Sequence, residues 1–329
     1  MLPPPEGARS LPQTDGIHHM TTHTTASIPR RRRTGTLARR EALTFYLLIS
    51  PWMLGFLLFV LGPMVASLGL SFTRWDLLTP ARLVGLRNYQ KMFAGDRLVW
   101  QSLKVTAIYT GVYVPVELVG GLVLALLMNQ RLRFLNVFRT IYYLPSVLPA
   151  VAFIVLWMWI LHPDIGLINT LLSYVGIQGP RWLADPGWAL PALLIMSLWG
   201  LGRSMVIYLA SLKGIPQHLY EAAAIDGAGD WHSFWHITLP MLTPTIFFNL
   251  VLSIISTFQT FASAFVATDG GPLDATLFYV LYIFRQAFQF FNMGYASALA
   301  WVLFLVILIL TLLIVRSSDR WVYYAGERT

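Results

Sequence analysis

Six long apolar segments constrain the fold of this chain more than any other feature of its sequence. Each is long enough to cross a hydrocarbon core about 30 Å thick as a helix. None alternates apolar and polar residues over the roughly 10 positions that a membrane barrel strand requires. We therefore predict an all-α integral membrane protein with six transmembrane helices, at 44–72, 103–128, 141–161, 188–212, 239–265 and 294–315.

The composition agrees with a bilayer environment. Hydrophobic residues make up 56% of the 329 residues and charged residues 12%, whereas soluble domains carry about 25% charged residues. The chain has no cysteine, which excludes disulfides, thiol nucleophiles and cysteine-bound metals. The net charge of +8 is better explained by basic residues at the ends of membrane segments than by nucleic-acid binding.

The first 40 residues differ in composition from the rest of the chain. They contain Pro, Thr, Gly and His and the basic run Arg30–Arg33, without an apolar stretch that could form a core. We predict a disordered basic tail over 1–40 and a six-helix membrane domain over 41–329. The first apolar segment is too long for a signal-peptide core, so we expect an uncleaved span, with translation starting at either Met1 or Met20.

Basic residues in the loops predict the orientation. They are more frequent in alternate loops, and this bias places both termini in the cytoplasm. The loop 74–102 is an exception, because it lies outside in this topology and is nearly as basic as some inside loops.

The loop 213–240, between the fourth and fifth segments, is the most informative part of the sequence. Residues 216–226 favour a helix, and Pro216 suits its first turn. Gly227 and Gly229 would end this helix. Asp230 can then cap a second short helix that runs through Phe234. The sequence therefore predicts two short helices around a tight turn on the cytoplasmic face.

This loop resembles the EAA loop of permeases from binding-protein-dependent ABC importers. The family pattern is E-A-A, then D-G-A, then a hydrophobic pair and L-P. The matching residues are Glu221, Ala222, Ala223, Asp226, Gly227, Ala228, Phe234, Ile237, Leu239 and Pro240. Further stretches resemble the sugar-permease branch, of the maltose and glycerol-phosphate type, at Gly85–Phe93, Phe138–Phe153, Asp269–Pro272 and Met293–Ile307. The resemblance covers most of the chain after residue 44.

The resemblance implies a type I importer permease in the cytoplasmic membrane of a bacterium or archaeon. In that family the loop is a coupling helix that docks on a cytoplasmic ATPase dimer. Glu221 and Asp226 would be its polar contacts and Gly227 its turn; the alternative is that these residues only order a surface loop. The resemblance also implies a second, related permease chain and an extracellular or periplasmic solute-binding protein. ATP would be used by the ATPase, and no cofactor is expected on this chain.

The fifth segment carries polar residues that we interpret as part of a substrate pathway. They are Asn249, Ser253, Ser256, Thr257 and Thr260. Their spacings of three and four predict one helical face, which should point away from lipid. Hydroxyl and amide groups suit a sugar, and the alternative is contact between packed helices. The resemblance adds Trp199, Gly200 and Arg203 from the fourth segment to this pathway.

Glu117 and Arg203 are the two charges expected to be buried within spans. They could form an internal ion pair that joins the second span to the fourth. Alternatively, Arg203 could face the pathway and contact an anionic substrate. The sequence leaves both interpretations open.

No catalytic motif or metal-ligand set is visible in the sequence. The lysines are Lys91, Lys104 and Lys213, and none follows the glycines of a phosphate-binding loop. We therefore expect no enzyme activity and no metal. The predicted function is import of a carbohydrate. The alternatives are import of glycerol phosphate or another small polar solute, and ATP-independent secondary transport, which usually requires intramembrane carboxylates.

Overall fold

Helices account for nearly all the regular structure of the chain. The structure is a computed structural model that describes residues 36–130 and 133–323, with side chains from residue 39 onward. The helices are α1 (Thr36–Phe56), α2 (Gly62–Ser71), α3 (Arg87–Ala94), α4 (Arg97–Met128), α5 (Leu135–Tyr143), α6 (Ala150–Ile160), α7 (Leu167–Tyr174), α8 (Ala189–Leu198), α9 (Gly202–Lys213), α10 (Gln217–Ile225), α11 (Asp230–Ser233), α12 (Leu239–Phe258), α13 (Ala262–Ala267), α14 (Tyr279–Phe284) and α15 (Met293–Ser318).

Shorter elements connect these helices. Strands β1 (Thr73–Arg74) and β2 (Arg82–Leu83) pair antiparallel, with Thr73 opposite Leu83. A 3₁₀ turn follows α5, and π-helical turns precede α2 and α12 and follow α14. Their ranges are Leu144–Val147, Leu57–Leu61, Phe234–Thr238 and Arg285–Gln289.

Five helical segments of the described residues are long and apolar enough to cross a membrane. They are Arg39–Ser71, Arg97–Met128, Ala189–Lys213, Asp230–Ala267 and Met293–Ser318. They coincide with the first, second, fourth, fifth and sixth segments predicted from the sequence, and confirm an all-α membrane protein.

The third predicted segment, 141–161, is bent rather than straight. It contains two helical parts, Leu135–Val147 and Ala150–Ile160, that meet at 104°. Between them Leu148 is extended (φ −66°, ψ 140°) and Pro149 precedes α6. Because proline lacks an N–H and disfavours helical conformation in the residue before it, the chain bends here. The structure has six spans if this pair is one crossing.

The described residues fall into two compact units that divide after Phe59. The first unit contains α1, whose apolar side chains are exposed, with Leu48 77% and Tyr46 68% accessible. This helix begins at Thr36, inside the segment 1–40 that was assigned to the tail. The rest of the predicted tail, 1–35, lies outside the described residues.

In the second unit, α4 runs through both apolar clusters that form the core. One cluster gathers side chains of α3, α4, α8, α14 and α15, including Met92, Tyr109 and Phe278. The other gathers α4, α9 and α12, around the fully buried Met205 and Tyr208. At Gly121 a Cβ would lie 2.4 Å from Ser204 Oγ, so glycine allows the close approach of α4 and α9.

Candidate functional site

The turn expected at Gly227 is present, as a Schellman motif at the end of α10. The Ala228 amide donates to the Ala223 carbonyl (2.9 Å), and the Gly227 amide donates to the Ala224 carbonyl (3.1 Å). Gly227 has a φ of +81°, a left-handed conformation that costs residues with a Cβ about 1–2 kcal/mol. A Cβ here would meet nothing within 4 Å, so the backbone and not packing within the chain requires glycine.

The second half of this loop differs from the prediction. Gly229 occupies the position before α11, and Asp230 is the first residue of that helix and does not cap it. The helix also does not stop at Phe234, because a π-helical turn joins it to α12. No glycine or proline lies between residues 230 and 239, so nothing in the sequence interrupts the helix before Pro240.

The inner side of α10 holds the loop against the rest of the chain. Leu219 and Tyr220 pack on the cluster that contains Met205 and Tyr208, and Ile215 is buried in it. The Tyr220 hydroxyl is also hydrogen-bonded to Thr238 Oγ1 at 2.8 Å. These contacts fix the position of α10 relative to the start of the fifth span.

The opposite side of the loop is an exposed surface, which we call the coupling surface after the role that the resemblance predicts for it. It consists of Glu221, Ala222, Ile225, Asp226, Trp231 and Trp235. Ile225 is 87% and Trp231 74% accessible, and neither Glu221 nor Asp226 is hydrogen-bonded through its side chain to another described residue. The other predicted coupling residues line its edge, with Gly227 exposed and Ala223, Ala228, Phe234 and Pro240 half-buried. Exposed apolar side chains beside free charges are typical of a protein-binding surface.

The predicted pathway residues of the fifth segment differ in burial. Asn249, Ser253 and Thr257 are buried, with at most 5% accessibility. Ser256 is exposed, and Thr260, two residues beyond the end of α12, is half-buried. At 3.6 residues per turn the four positions within α12 fall within an arc of about 100°, so this face is partly covered by the described chain and partly exposed. Of the five residues, Ser256 and Thr260 are the ones that remain accessible.

An open and mostly apolar cavity of about 450 Å³ lies where α12 ends. Its polar lining is Gln259, Thr260 and Ser263, and its apolar lining includes Phe153 and Phe261. Phe153 stacks on Trp199 with a centroid distance of 5.6 Å, and Trp199 is itself 41% accessible. The structure therefore brings Thr260 and Trp199, two predicted pathway residues, to the same region.

Gly200 lies beside Trp199 in a break of the fourth span. Residues 199–201 form a turn between α8 and α9, in which the Gly200 amide donates to the Ser197 carbonyl at 3.0 Å. Sequence reasoning identified neither this break nor the cavity residues Phe153 and Gln259. Phe153 lies in an ordinary apolar helix, so only the fold identifies it, whereas Gln259 stands next to the predicted residue Thr260, and that position could have indicated it.

Glu117 and Arg203 do not form an ion pair in this structure. Among the described side chains, the ion pairs within 4.0 Å join Arg285 to Asp269 (3.5 Å) and to Asp274 (4.0 Å). Glu117 is half-buried, and its Oε2 accepts a hydrogen bond from Ser253 Oγ at 2.5 Å. Arg203 is exposed rather than buried.

A second polar cluster, which the sequence did not indicate, joins α14 to the beginnings of α4 and α15. Asp96 Oδ2 accepts from the hydroxyls of Tyr282 (2.5 Å) and Tyr295 (2.7 Å), and its Oδ1 accepts from the Leu98 amide (3.0 Å). Burial, and then the bond to Asp96, raise the pKa of Tyr282, so its hydroxyl stays protonated and donates. The position of Asp96 before α4 predicts a helix cap, but its tyrosine partners lie far away in the sequence.

Comparison with known proteins identifies the family. The family described as "Binding-protein-dependent transport system inner membrane component" matches residues 117–324. The chain is 47% identical over 293 residues to the probable ABC transporter permease protein YesP of Bacillus subtilis (strain 168), covering 88% of this chain and 94% of that one. It is 34% identical over 286 residues to the lactose transport system permease protein LacF of Rhizobium radiobacter, covering 84% and 95%.

A solved structure has the same fold. The crystal structure of a bacterial ABC transporter involved in the import of the acidic polysaccharide alginate matches with a TM-score of 0.76 and 26% identity. The match covers 86% of this chain and 96% of that chain. These findings confirm the family suggested by the E-A-A pattern and the predicted absence of enzyme activity. The chain belongs to the inner membrane components of binding-protein-dependent transport systems, as a multi-pass permease subunit of an ABC importer.

Proposed function

We propose that this permease forms half of a translocation pathway for a carbohydrate. The observation that carries the proposal is the cavity beside Trp199. It combines an aromatic stack of Phe153 on Trp199 with the amide of Gln259 and the hydroxyl of Thr260. Sugars offer apolar C–H faces to aromatic rings and hydroxyls to polar groups, and binding cavities pair these two kinds of lining.

The relatives support a saccharide as the substrate but do not decide whether that saccharide is neutral or charged. One relative is named for the transport of lactose, a neutral disaccharide, and the transporter of the solved structure imports alginate, an acidic polysaccharide. Glycerol phosphate or another small polar solute is the alternative.

The importer needs partners that this chain does not supply. Six spans are too few to enclose a wide hydrophilic path, so we propose a second, related permease chain and hence a heterodimer. The coupling surface would dock on a cytoplasmic ATPase dimer, which uses the ATP. The loop 268–292, at the other end of the fifth span, would face the solute-binding protein. Both termini would then be cytoplasmic, as the basic residues of the loops indicate.

Uptake by the reconstituted importer tests the carbohydrate proposal. We would measure uptake of radiolabelled saccharides, and of glycerol 3-phosphate, into proteoliposomes that contain both permeases, the ATPase and the binding protein. Trp199→Ala should lower saccharide uptake by about 3- to 10-fold, as loss of an aromatic contact predicts. Trp159→Ala is the control, because this tryptophan is 54% accessible and is not part of the cavity lining.

Two results would contradict the proposal. The first is uptake of glycerol 3-phosphate without uptake of any saccharide. The second is saccharide uptake that Trp199→Ala and Trp159→Ala reduce equally.

A further inference from the structure

Arg203 is a charged side chain in the membrane-spanning part of the fold that has no partner in the described chain. It lies in the span Ala189–Lys213 and is exposed. Its guanidinium makes no hydrogen bond or ion pair with any described residue, and Glu117, the carboxylate that the sequence offered as its partner, accepts a hydrogen bond from Ser253 instead. We propose that Arg203 recognises an anionic group of the imported saccharide, an inference that rests on the proposed function.

The packing of α9 determines where Arg203 points. The residues on both sides of it, Gly202 and Ser204, are buried. A Cβ at Gly202 would lie 2.0 Å from the Tyr142 carbonyl oxygen, and Ser204 Oγ lies against Gly121. Arg203 lies between these two buried residues, and its own side chain is exposed.

Arg203 lies close along the chain to the cavity. Arg203 and Val206 are exposed on α9, and Trp199, four residues before Arg203 in the turn that precedes this helix, is exposed as well. Trp199 stacks on Phe153, which lines the cavity together with Gln259 and Thr260. A cation therefore lies four residues from an aromatic ring whose stacking partner lines the cavity.

This arrangement favours an acidic sugar over lipid as the neighbour of Arg203. A guanidinium within a span is unfavourable against lipid and is normally found facing water or an acceptor. Its planar set of N–H donors matches a carboxylate, and binds a sulfonate or phosphate by the same chemistry. A sugar whose ring stacks on Trp199 would place such a substituent within reach of the guanidinium.

The test uses the complete importer in proteoliposomes and a panel of saccharides matched in size. The anionic probes are digalacturonate, a 6-sulfo sugar and glucose 6-phosphate, and the neutral probes are lactose and cellobiose. We expect the wild type to import one or more anionic probes in preference to the neutral ones. Arg203→Gln should lower that uptake by about 10- to 100-fold, since charge-assisted hydrogen bonds are lost. Arg203→Lys keeps the charge without the planar donors, so its uptake of the anionic probes should lie between that of the wild type and that of Arg203→Gln.

Three outcomes would overturn the inference. If the importer carries only neutral saccharides and Arg203→Gln leaves their uptake unchanged, the proposal of carbohydrate import is supported, but Arg203 does not recognise an anionic group. If Arg203→Gln abolishes co-purification of the second permease, then Arg203 pairs with a carboxylate of that partner and not with substrate. If no probe of either class is imported, the proposed function fails, and the inference fails with it.

Discussion

Ser253 Oγ donates a 2.5 Å hydrogen bond to Glu117 Oε2, which joins α12 to α4 although the two residues lie in different spans. The same contact occupies the carboxylate that the sequence offered as a partner for Arg203. On the same face of α12, Asn249, Ser253 and Thr257 are buried, whereas Ser256 is exposed.

Ser253→Ala should destabilise the permease, because it removes the hydrogen bond and leaves a half-buried carboxylate without this donor. We expect a loss of about 0.5–2 kcal/mol in the free energy of unfolding, the range for polar contacts between membrane helices. Denaturation of the purified chain in detergent would measure it. Ser256→Ala is the control, since that hydroxyl is exposed and donates only to the Ser253 carbonyl of its own helix. Equal effects of the two substitutions would contradict the assigned contact.

Gly227→Val should impair coupling of ATP hydrolysis to transport, because valine is strained at a φ of +81° and would distort the Schellman turn. Gly227→Asn should retain most coupling, since asparagine tolerates the left-handed conformation. Gly229→Ala is a control at an ordinary φ with nothing within 4 Å of the added Cβ. The measurement is ATPase activity stimulated by the loaded binding protein, at matched expression. Full stimulation in Gly227→Val would show that the turn is not required.

Ile225→Asp should weaken the binding of the ATPase by this chain. The side chain is 87% accessible in the middle of the coupling surface, and a carboxylate there would lose apolar contact with a docked partner. Leu273→Asp is a matched control, because Leu273 is equally accessible but lies in the loop at the other end of the fifth span. Co-purification of the ATPase with the tagged permease separates the two variants. The docking assignment fails if Ile225→Asp retains the ATPase as fully as Leu273→Asp does.

Gly294→Ala should destabilise the fold, because the new Cβ would lie 2.0 Å from the Thr73 carbonyl oxygen. A clash with backbone cannot be relieved by a change of rotamer, so we expect a loss of about 1–3 kcal/mol. Gly111→Ala, at a helical glycine with nothing within 4 Å of the added Cβ, should be neutral or slightly stabilising. Thermal unfolding in detergent measures both variants. An unchanged midpoint for Gly294→Ala would show that α15 and β1 do not pack this closely.

Features with a local cause could be predicted from the sequence. Apolar segments of spanning length predict membrane helices, and five of the six are long helices in the structure. The turn at Gly227 was predictable because its cause is the backbone conformation of one residue and the helix formers before it. The bend at Pro149 also has a local cause, but the sequence analysis considered only the length of the apolar segment and predicted one span over 141–161.

Contacts between distant parts of the chain were decided only by the tertiary structure. The spacing of polar residues in α12 could not show that Ser253 and Thr257 are buried while Ser256 is exposed, because that depends on how α4 and α9 pack beside it. The positions of Glu117 and Arg203 at similar depth in their spans also could not show that Glu117 is hydrogen-bonded to Ser253 and that Arg203 is exposed. A helical pattern defines the faces of a helix, but which face meets a neighbour depends on the arrangement of all the spans. The sequence thus determined the spans and the turn at Gly227, and the packing of the spans determined which polar groups remain exposed.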